Sequence, residues 1–575
     1  MTRLISRTLA AALVFAAVAG PSLAADAPAS PAPSEAIPNP ITKNAIDGGD
    51  TAWMLISTAL VMFMVPGLAL FYGGIARRKN LLGTMMQSMA ALGIVGVLWV
   101  LVGYALAFGN TQSGFIGWNT DMLGLSGVVS NHTFSSTKIP IYVHCMYQGM
   151  FAIITPALIS GALAERIKFG PYCAFVALWS LLIYCPLAHW VWALDSKGNA
   201  AGWLGALGAI DFAGGTVVHV AAGVSGLAAI LLLRKRIGYP QHAMHPNSMV
   251  LTLFGAGILW FGWFGFNGGS GLGSGALAGS ALTATQVAAA TAGLVWMLIE
   301  WAHRGKPTAL GFATGLVAGL VAITPASGFV KPLGAVCIGV AVSIICYYAL
   351  LLKPKLKYDD SLDAFGVHGI GGCVGAILTG VLASAALFRA SIGDDKYVLG
   401  ALGETGTQQF DLILAQFKAT AAAAAFAFVG TLVLVKVIDL IWGFCLNPKD
   451  ESDGLDYAVH GEVSFDFGLI SEQAVSNSLP EPKSATVPPA VGNRFTVVVD
   501  GSSNDELMKV WSDLCKVDTG PPSVEFQAVY PYVTTVQGNR FRFNSGDPDT
   551  VARSLGNLFD RHLPGKKIRA YIEKA

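Results

Sequence analysis

The chain has 575 residues, 53% of them hydrophobic and only 12% Asp, Glu, Lys or Arg, with a mean hydropathy of +0.57. Soluble domains carry roughly a quarter charged residues because their surfaces face water, so a soluble fold is excluded and most of the surface must meet lipid. A formal net charge of +1 also excludes an ordinary nucleic-acid binder, which needs clustered Lys and Arg to displace counterions from phosphate.

Residues 1–24 open with Arg3 and Arg7, continue in a 12-residue apolar run from Leu9 to Gly20, and end in Ser22-Leu23-Ala24. This predicts a secretory signal peptide cut after Ala24, because so short a run cannot cross about 30 Å of hydrocarbon as a helix. Residues 25–46 hold Pro28, Pro31, Pro33, Pro38 and Pro40 and predict a disordered leader outside the membrane. Eight scattered Cys (145, 173, 185, 337, 346, 373, 445 and 515) form no CxxC pair. They read as small buried apolar residues, neither disulfides nor metal ligands, and no cofactor is expected.

From Thr51 to Phe444 the chain is a series of apolar stretches of about 20 residues, the length a spanning helix needs. Eleven fit, at 51–76, 84–109, 138–163, 170–194, 211–233, 248–268, 281–301, 309–329, 332–352, 366–386 and 410–444. Lys and Arg are retained on the cytoplasmic side of short loops. With the N-terminus outside, the inner loops hold thirteen (Arg77, Arg78, Lys79, Arg166, Lys168, Arg234, Lys235, Arg236, Arg304, Lys306, Lys353, Lys355 and Lys357) against six outside. The expected placement is therefore a multi-pass protein of the cell inner membrane with a cytoplasmic C-terminus.

Asp211 is followed eight residues later by His219, and Asp360 eight residues later by His368. Eight residues span about 12 Å of helix, which puts each His well inside the membrane. The first segment runs inward and the second outward. That opposition predicts an inverted repeat of helices 1–5 and 6–10, with helix 11 extra and the site where the halves meet. A lone membrane His reads as a helix-to-helix hydrogen bond; two related by a repeat read as lining a pathway. Asp211 and Asp360 stand near helix starts and admit two readings, a cap on backbone N–H groups or a carboxylate that draws a cation and polarises the site.

PGLALFYGG from 66, MYQGMF from 146, ALAERIKF from 162, AHWVWA from 188, DFAGGTVVH from 211, GWFGFNGGS from 262, TPASGF from 324, DAFGVHG from 363 and DGLDYAVHGE from 453 together resemble the ammonium transporter family that also contains the Rhesus glycoproteins. The resemblance covers about residues 45–465 and implies a homotrimer of eleven-helix subunits in membrane lipid, each with its own narrow pore for ammonium or ammonia. Carried over position by position, it implies recruitment of the ion by Trp192, Tyr147, Phe151 and Ser270, a gate of Phe151 and Phe266, a pore pair of His219 and His368, and support from Asp211. Tyr147 stands where relatives often have Phe, which adds a hydroxyl to the cage. The segment from Asp453 resembles the family's cytosolic tail, a place where PII-type regulatory proteins can bind.

The chemistry fits those residue types. Ammonium and potassium match in size and charge, so a pore selecting by radius and field would leak potassium. Ammonium has four N–H donors and a proton to give up; potassium has neither. An aromatic face attracts a cation by about 0.5–2 kcal/mol, an apolar pore disfavours the charged form, and a neutral imidazole is a fitting proton acceptor.

The membrane domain is expected at 47–446, the family tail at 447–470 and a Pro-containing linker at 471–492. Residues 493–575 carry 11 Lys and Arg and 10 Asp and Glu, the charge density of a soluble domain. Strands at FTVVV from 495, SVEFQAVY from 523, NRFRFN from 539 and IRAYIE from 568 alternate with helices from Asp505 and from Asp547-Pro548. The order is βαββαβ, a ferredoxin-like unit. It has no phosphate loop, metal spacing or nucleophile constellation, and reads as a packing domain or a ligand-sensing one. The expected fold is thus an all-α polytopic membrane protein with 5+5 repeated helices plus helix 11 and a small α+β cytoplasmic domain. The expected function is ammonium transport rather than enzymatic catalysis. Two alternatives are an ammonium sensor signalling through the C-terminal domain, and a redox protein with the two His on haem, for which no CxxCH motif is present.

Overall fold

The computed structural model describes residues 40–241, 244–392, 406–465, 495–515, 529, 533–543 and 548–573. The signal peptide, all but the last residues of the leader and the linker expected at 471–492 lie outside the described residues. The chain divides into two units, Met1–Ser471 and Glu472–Ala575.

Among the described residues of the first unit ten helices are long and apolar enough to cross a membrane: α1 Gly48–Ile75, α2 Arg78–Phe108, α3 Ile141–Leu163, α4 Phe169–Trp192, α5 Gly215–Leu232, α6 Met249–Gly271, α7 Ala276–Arg304, α9 Pro332–Leu356, α10 Phe365–Leu382 and α11 Gln408–Trp442. The eighth expected span differs. Helix α8, Ala309–Ile323, has 15 residues, and the TPASGF stretch after it forms turns. Composition alone does not register this break, because Pro325 is apolar yet lacks the N–H a helix needs. The turn is used: the Pro325 carbonyl accepts the Phe212 N–H at 3.2 Å, beside Asp211.

Without a hydrophobic drive between helices in lipid, close backbone approach supplies much of the packing. Helices α1 and α6 show it: a Cβ on Gly255 would lie 2.3 Å from the Phe71 nitrogen. Polar side chains add specific links. Gln416 of α11 accepts the Ile210 N–H at 2.8 Å and donates to the Ile210 carbonyl at 2.8 Å and the Ala376 carbonyl at 3.0 Å. Cys145, Cys185 and Cys346 are buried, but Cys337 is exposed on α9, which corrects the reading of the cysteines as uniformly buried. It lies near the helix start with Leu333, 75% exposed, on an outward face where apolar residues need no protein neighbour. The Cys515 side chain lies outside the described residues.

One end of the bundle is tied by buried charges. Asp359 pairs with Arg166 at 2.8 Å and Arg236 at 2.7 Å; Glu165 pairs with Arg236 at 2.9 Å and Arg77 at 3.0 Å. Burial pushes the Glu165 carboxyl up, and Arg236 and Arg77 more than reverse this, holding it below its ordinary value. The tail docks at the same end. The Asp456 carboxylate accepts the Gly83 N–H at 2.8 Å, the Leu455 N–H donates to the Asn80 side-chain oxygen at 2.9 Å, and Glu451 pairs with Arg234 at 2.5 Å.

The second unit has a four-stranded antiparallel sheet of Phe495–Asp500, Val533–Gln537, Arg540–Phe543 and Arg569–Ile572, with the first strand between the third and the fourth and the second at the edge beyond the third. Helices Asn504–Cys515 and Pro548–His562 contribute Leu507, Trp511, Leu555 and Phe559 to a core with Val497, Val499, Phe541 and Phe543. The expected strand at 523–530 lies outside the described residues except for Val529, and the described second strand is Val533–Gln537, closer to the turn at Gly538. Asp547, the expected helix cap, also lies outside them.

Lys566, Ser502 and Ser503 hold the Glu506 carboxyl down from the ordinary 4.5 to about 2. The carboxylate form therefore stabilises this unit above pH 4.5, and the contribution disappears as pH falls toward about 2. Glu506→Gln is expected to remove that part of the acid dependence, read as hydrogen exchange of the 502–506 amides between pH 5 and 3; an identical acid profile in the variant contradicts it.

Candidate functional site

Three helices supply the aromatic end of the site. Tyr147 and Phe151 are four apart on α3 and share a face. Trp263 and Phe266 are three apart on α6, and the turn Gly269–Gly271 that closes this helix presents Ser270. Trp192 ends α4. The Phe151 and Phe266 rings are 4.2 Å apart, with Trp192 edge-on to Phe151 at 6.0 Å and Tyr147 edge-on at 5.1 Å. The Tyr147 hydroxyl lies 2.8 Å from the Phe266 carbonyl and 3.2 Å from Ser270 Oγ. Ser270 donates to the Phe266 carbonyl at 2.8 Å, which leaves its oxygen free to accept. The extra hydroxyl of Tyr147 is thus occupied within the protein, tying α3 to the end of α6.

The histidines sit in unusual backbone. His219 lies in the π-helical turn Gly215–Val220 and His368 in the π-helical turn Phe365–Ile370; such turns are rare and concentrate at functional sites. The preceding Asp explains the first. Gly214 adopts φ 105°, which a side chain would resist, and this bend turns four successive N–H groups onto the Asp211 carboxylate: Gly214 and Gly215 to Oδ1 at 2.9 and 2.6 Å, Thr216 and Val217 to Oδ2 at 2.8 and 3.1 Å. Asp360 does the same on a smaller scale, accepting Ala364 and Phe365 at 3.1 and 2.8 Å. Burial and then Asp363 push the Asp360 carboxyl up, against Lys353 and those two N–H groups. Both carboxylates act as backbone anchors in this geometry. Asp211 also reaches the aromatic end, since Trp192 Nε1 donates to its carbonyl at 2.8 Å.

The two imidazoles meet, with ring centroids 5.3 Å apart, planes 17° from parallel and the Nδ1 atoms 3.3 Å apart. Trp263 stacks on His219 at 5.4 Å, and Phe266 lies 6.1 Å from it. Ring contacts are therefore continuous from Trp192, edge-on to Phe151, through Phe266 to the stacked His219 and His368. A narrow cavity lined by Leu68, Ile154, Trp263, Val317, His219 and His368 runs beside the pair, and a second, with Tyr72, Thr314 and Asp363, begins at His368. His219 Nε2 is buried with no hydrogen-bond partner among the described residues. His368 Nε2 lies 3.5 Å from the Tyr72 hydroxyl, which donates to the Leu158 carbonyl at 3.1 Å.

Every residue proposed from the sequence for recruitment, gate and pore falls along this one line. Asp360 stands apart from the aromatic end, on the far side of His368. Sequence reasoning missed Trp263 and Tyr72. Each lies within a quoted motif, and Trp263 is one turn from Phe266, so helical spacing was the available signal.

A family model described as Ammonium Transporter Family matches residues 52–465. The chain belongs to that family. Within it, the ammonium transporter of Mycobacterium tuberculosis (strain ATCC 25618 / H37Rv) is 42% identical over 443 residues, 74% of this chain and 92% of the relative. The crystal structure of Saccharomyces cerevisiae Mep2 matches with a TM-score of 0.64 at 34% identity, covering 71% of this chain and 89% of that one. A structure titled Sensor Amt Protein matches with a TM-score of 0.65 at 28% identity, covering 71% and 98%. The matched family region ends before the second unit, so the transporter resemblance belongs to the helical unit alone.

Proposed function

We propose that this member of the ammonium transporter family takes up ammonium at the Trp192 end, separates it into ammonia and a proton, and passes both across the membrane. The observation that carries the reading is an aromatic stack leading directly to paired imidazoles, the first of which offers a bare buried nitrogen. Trp192, Tyr147 and Phe151 attract the cation through their ring faces, and Ser270 accepts one of its N–H bonds. Passing Phe151 and Phe266 strips water, which favours the neutral form. Potassium gains from the aromatic faces but has no proton to release.

The hydrogen-bond directions follow from one hydroxyl. Tyr72 has a single hydrogen and gives it to Leu158, so its oxygen accepts from His368 Nε2–H. His368 Nδ1 is then the bare atom and accepts from His219 Nδ1–H. His219 Nε2 is left with a lone pair facing the arriving ammonium. A proton received there moves through the Nδ1 contact to His368 and leaves at Nε2, while ammonia moves along the cavity. Tyr72→Phe removes the oxygen that fixes this order, worth about 1 kcal/mol for one hydrogen bond. The expected result is an ammonium-elicited current in proteoliposomes about fivefold lower; an undiminished current contradicts the assignment.

The finer architecture supports the same reading. The apolar helix α8 followed by the 324–329 turns supports an eleventh crossing, and the matched carboxylate–π-turn–His segments support an inverted 5+5 repeat. The positive ends at Arg77, Arg166 and Arg234 support a cytoplasmic placement of that face and of the tail, an inner-membrane location and a site for a PII-type partner, and family resemblance supports a homotrimer. Strand order supports a ferredoxin-like C-terminal unit. A second reading, an ammonium sensor, is favoured by that unit's separate core and by the likeness to Sensor Amt Protein.

The test is an ammonium pulse on liposomes holding the full chain or a truncation after Ser471. Current in both, with none under potassium, supports transport; a purified full chain that binds ammonium but carries neither charge nor nitrogen supports the sensor.

A further inference from the structure

His219 and Gly223 are four residues apart, one helical turn, and so are His368 and Gly372. The glycines make a crossed contact. A Cβ on Gly223 would lie 2.1 Å from the Gly369 nitrogen and 2.9 Å from the His368 carbonyl carbon. A Cβ on Gly372 would lie 3.0 Å from the Val220 nitrogen and 3.1 Å from the His219 Cβ. A side chain on either glycine would therefore press on the segment that carries the other histidine.

We propose that Gly223 and Gly372 are positioning residues that set the distance between the two imidazoles and so the passage of the proton. The inference rests on the paired-imidazole reading above. The margin is small: the Nδ1 atoms are 3.3 Å apart, and a separation of about 3.6 Å is no longer a hydrogen bond. A shift of a few tenths of an ångström between α5 and α10 breaks it. Ordinary van der Waals contact begins at 3.4 Å, so alanine at 223 forces the backbones apart by over 1 Å, and alanine at 372 by a few tenths. Gly371 provides the contrast. It is adjacent on the same helix, but the atoms its Cβ would meet first are side-chain atoms away from α5, Val321 at 3.3 Å and Cys346 and Val342 at 3.6 Å. Alanine there changes helix propensity equally, with its closest contacts on side chains away from the partner helix.

The experiment uses the full chain in liposomes at matched amounts of folded protein, with Gly371→Ala, Gly372→Ala, Gly223→Ala and His219→Leu. Ammonium-elicited current and uptake of 15N-ammonium are measured in the same vesicles. Gly371→Ala is expected to match the parent, Gly372→Ala to lose current several-fold, and Gly223→Ala to lose it at least tenfold, with charge moved per nitrogen falling in the same order. If Gly223→Ala does not fold, Gly372→Ala carries the test, since its contacts need little adjustment. Loss of current in His219→Leu with an unchanged charge-to-nitrogen ratio in Gly372→Ala overturns the glycine inference alone. Unchanged current in His219→Leu overturns the relay itself, and this inference with it.

Discussion

His219→Leu is expected to lower the ammonium-elicited current by about a hundredfold or more, the usual contribution of a positioned proton acceptor. Leucine fills the volume between Trp263 and His368 but offers no lone pair where His219 Nε2 stands unpartnered. Ammonium that has passed Phe151 and Phe266 then meets an apolar wall, and keeping its charge there is unfavourable. His368→Leu is expected to act alike, because His219 Nδ1 loses the acceptor at 3.3 Å through which its proton leaves. The double variant should be no worse than either single one, since two members of one relay fail together. Independent, multiplying losses would indicate two separate roles. Thermal midpoints of the single variants should stay close to the parent.

Asp211→Ala is expected to be the most destabilising single change near the site, by about 3 kcal/mol or more. Its carboxylate accepts four backbone N–H groups, and a stranded buried donor costs about 1–3 kcal/mol. The loss is less than fourfold because the turn can relax toward ordinary helix, but that relaxation rotates His219 away from His368. Asp211→Asn should fall between the two, keeping one acceptor oxygen while aiming an amide donor at two N–H groups. The check is the apparent melting temperature in detergent beside the current per folded protein. A parental melting temperature for Asp211→Ala removes the anchor from this account, and a lowered one with parental current separates stability from the relay.

Much of this was legible because it depends on local spacing. The Asp-to-His interval of eight residues marks both π-turn segments before any coordinates, and motif resemblance places Phe151, Phe266, Trp192 and Ser270 on one line. The π turns themselves leave no periodic trace, since they arise from where Asp211 sends four N–H groups. Tyr72 was silent for another reason: it meets His368 across 296 positions of chain, and nothing in an apolar run says which hydroxyl faces inward. The expected span 309–329 overruns α8 because hydropathy averages through Pro325, and the strand Val533–Gln537 offers little signal because its sequence, VTTVQ, has no apolar alternation.

The amide of Gln416 has a consequence for how the gene can be cut. Its three bonds hold the residue just before Asp211 and a carbonyl two turns beyond His368. The helices ahead of α11 are therefore not self-sufficient: a fragment ending before α11 loses the acceptor of the Ile210 N–H and the donor to the Ile210 and Ala376 carbonyls, beside the Asp211 anchor and on the His368 helix. A single side chain of α11 thus fastens the segment that carries His219 to the helix that follows His368.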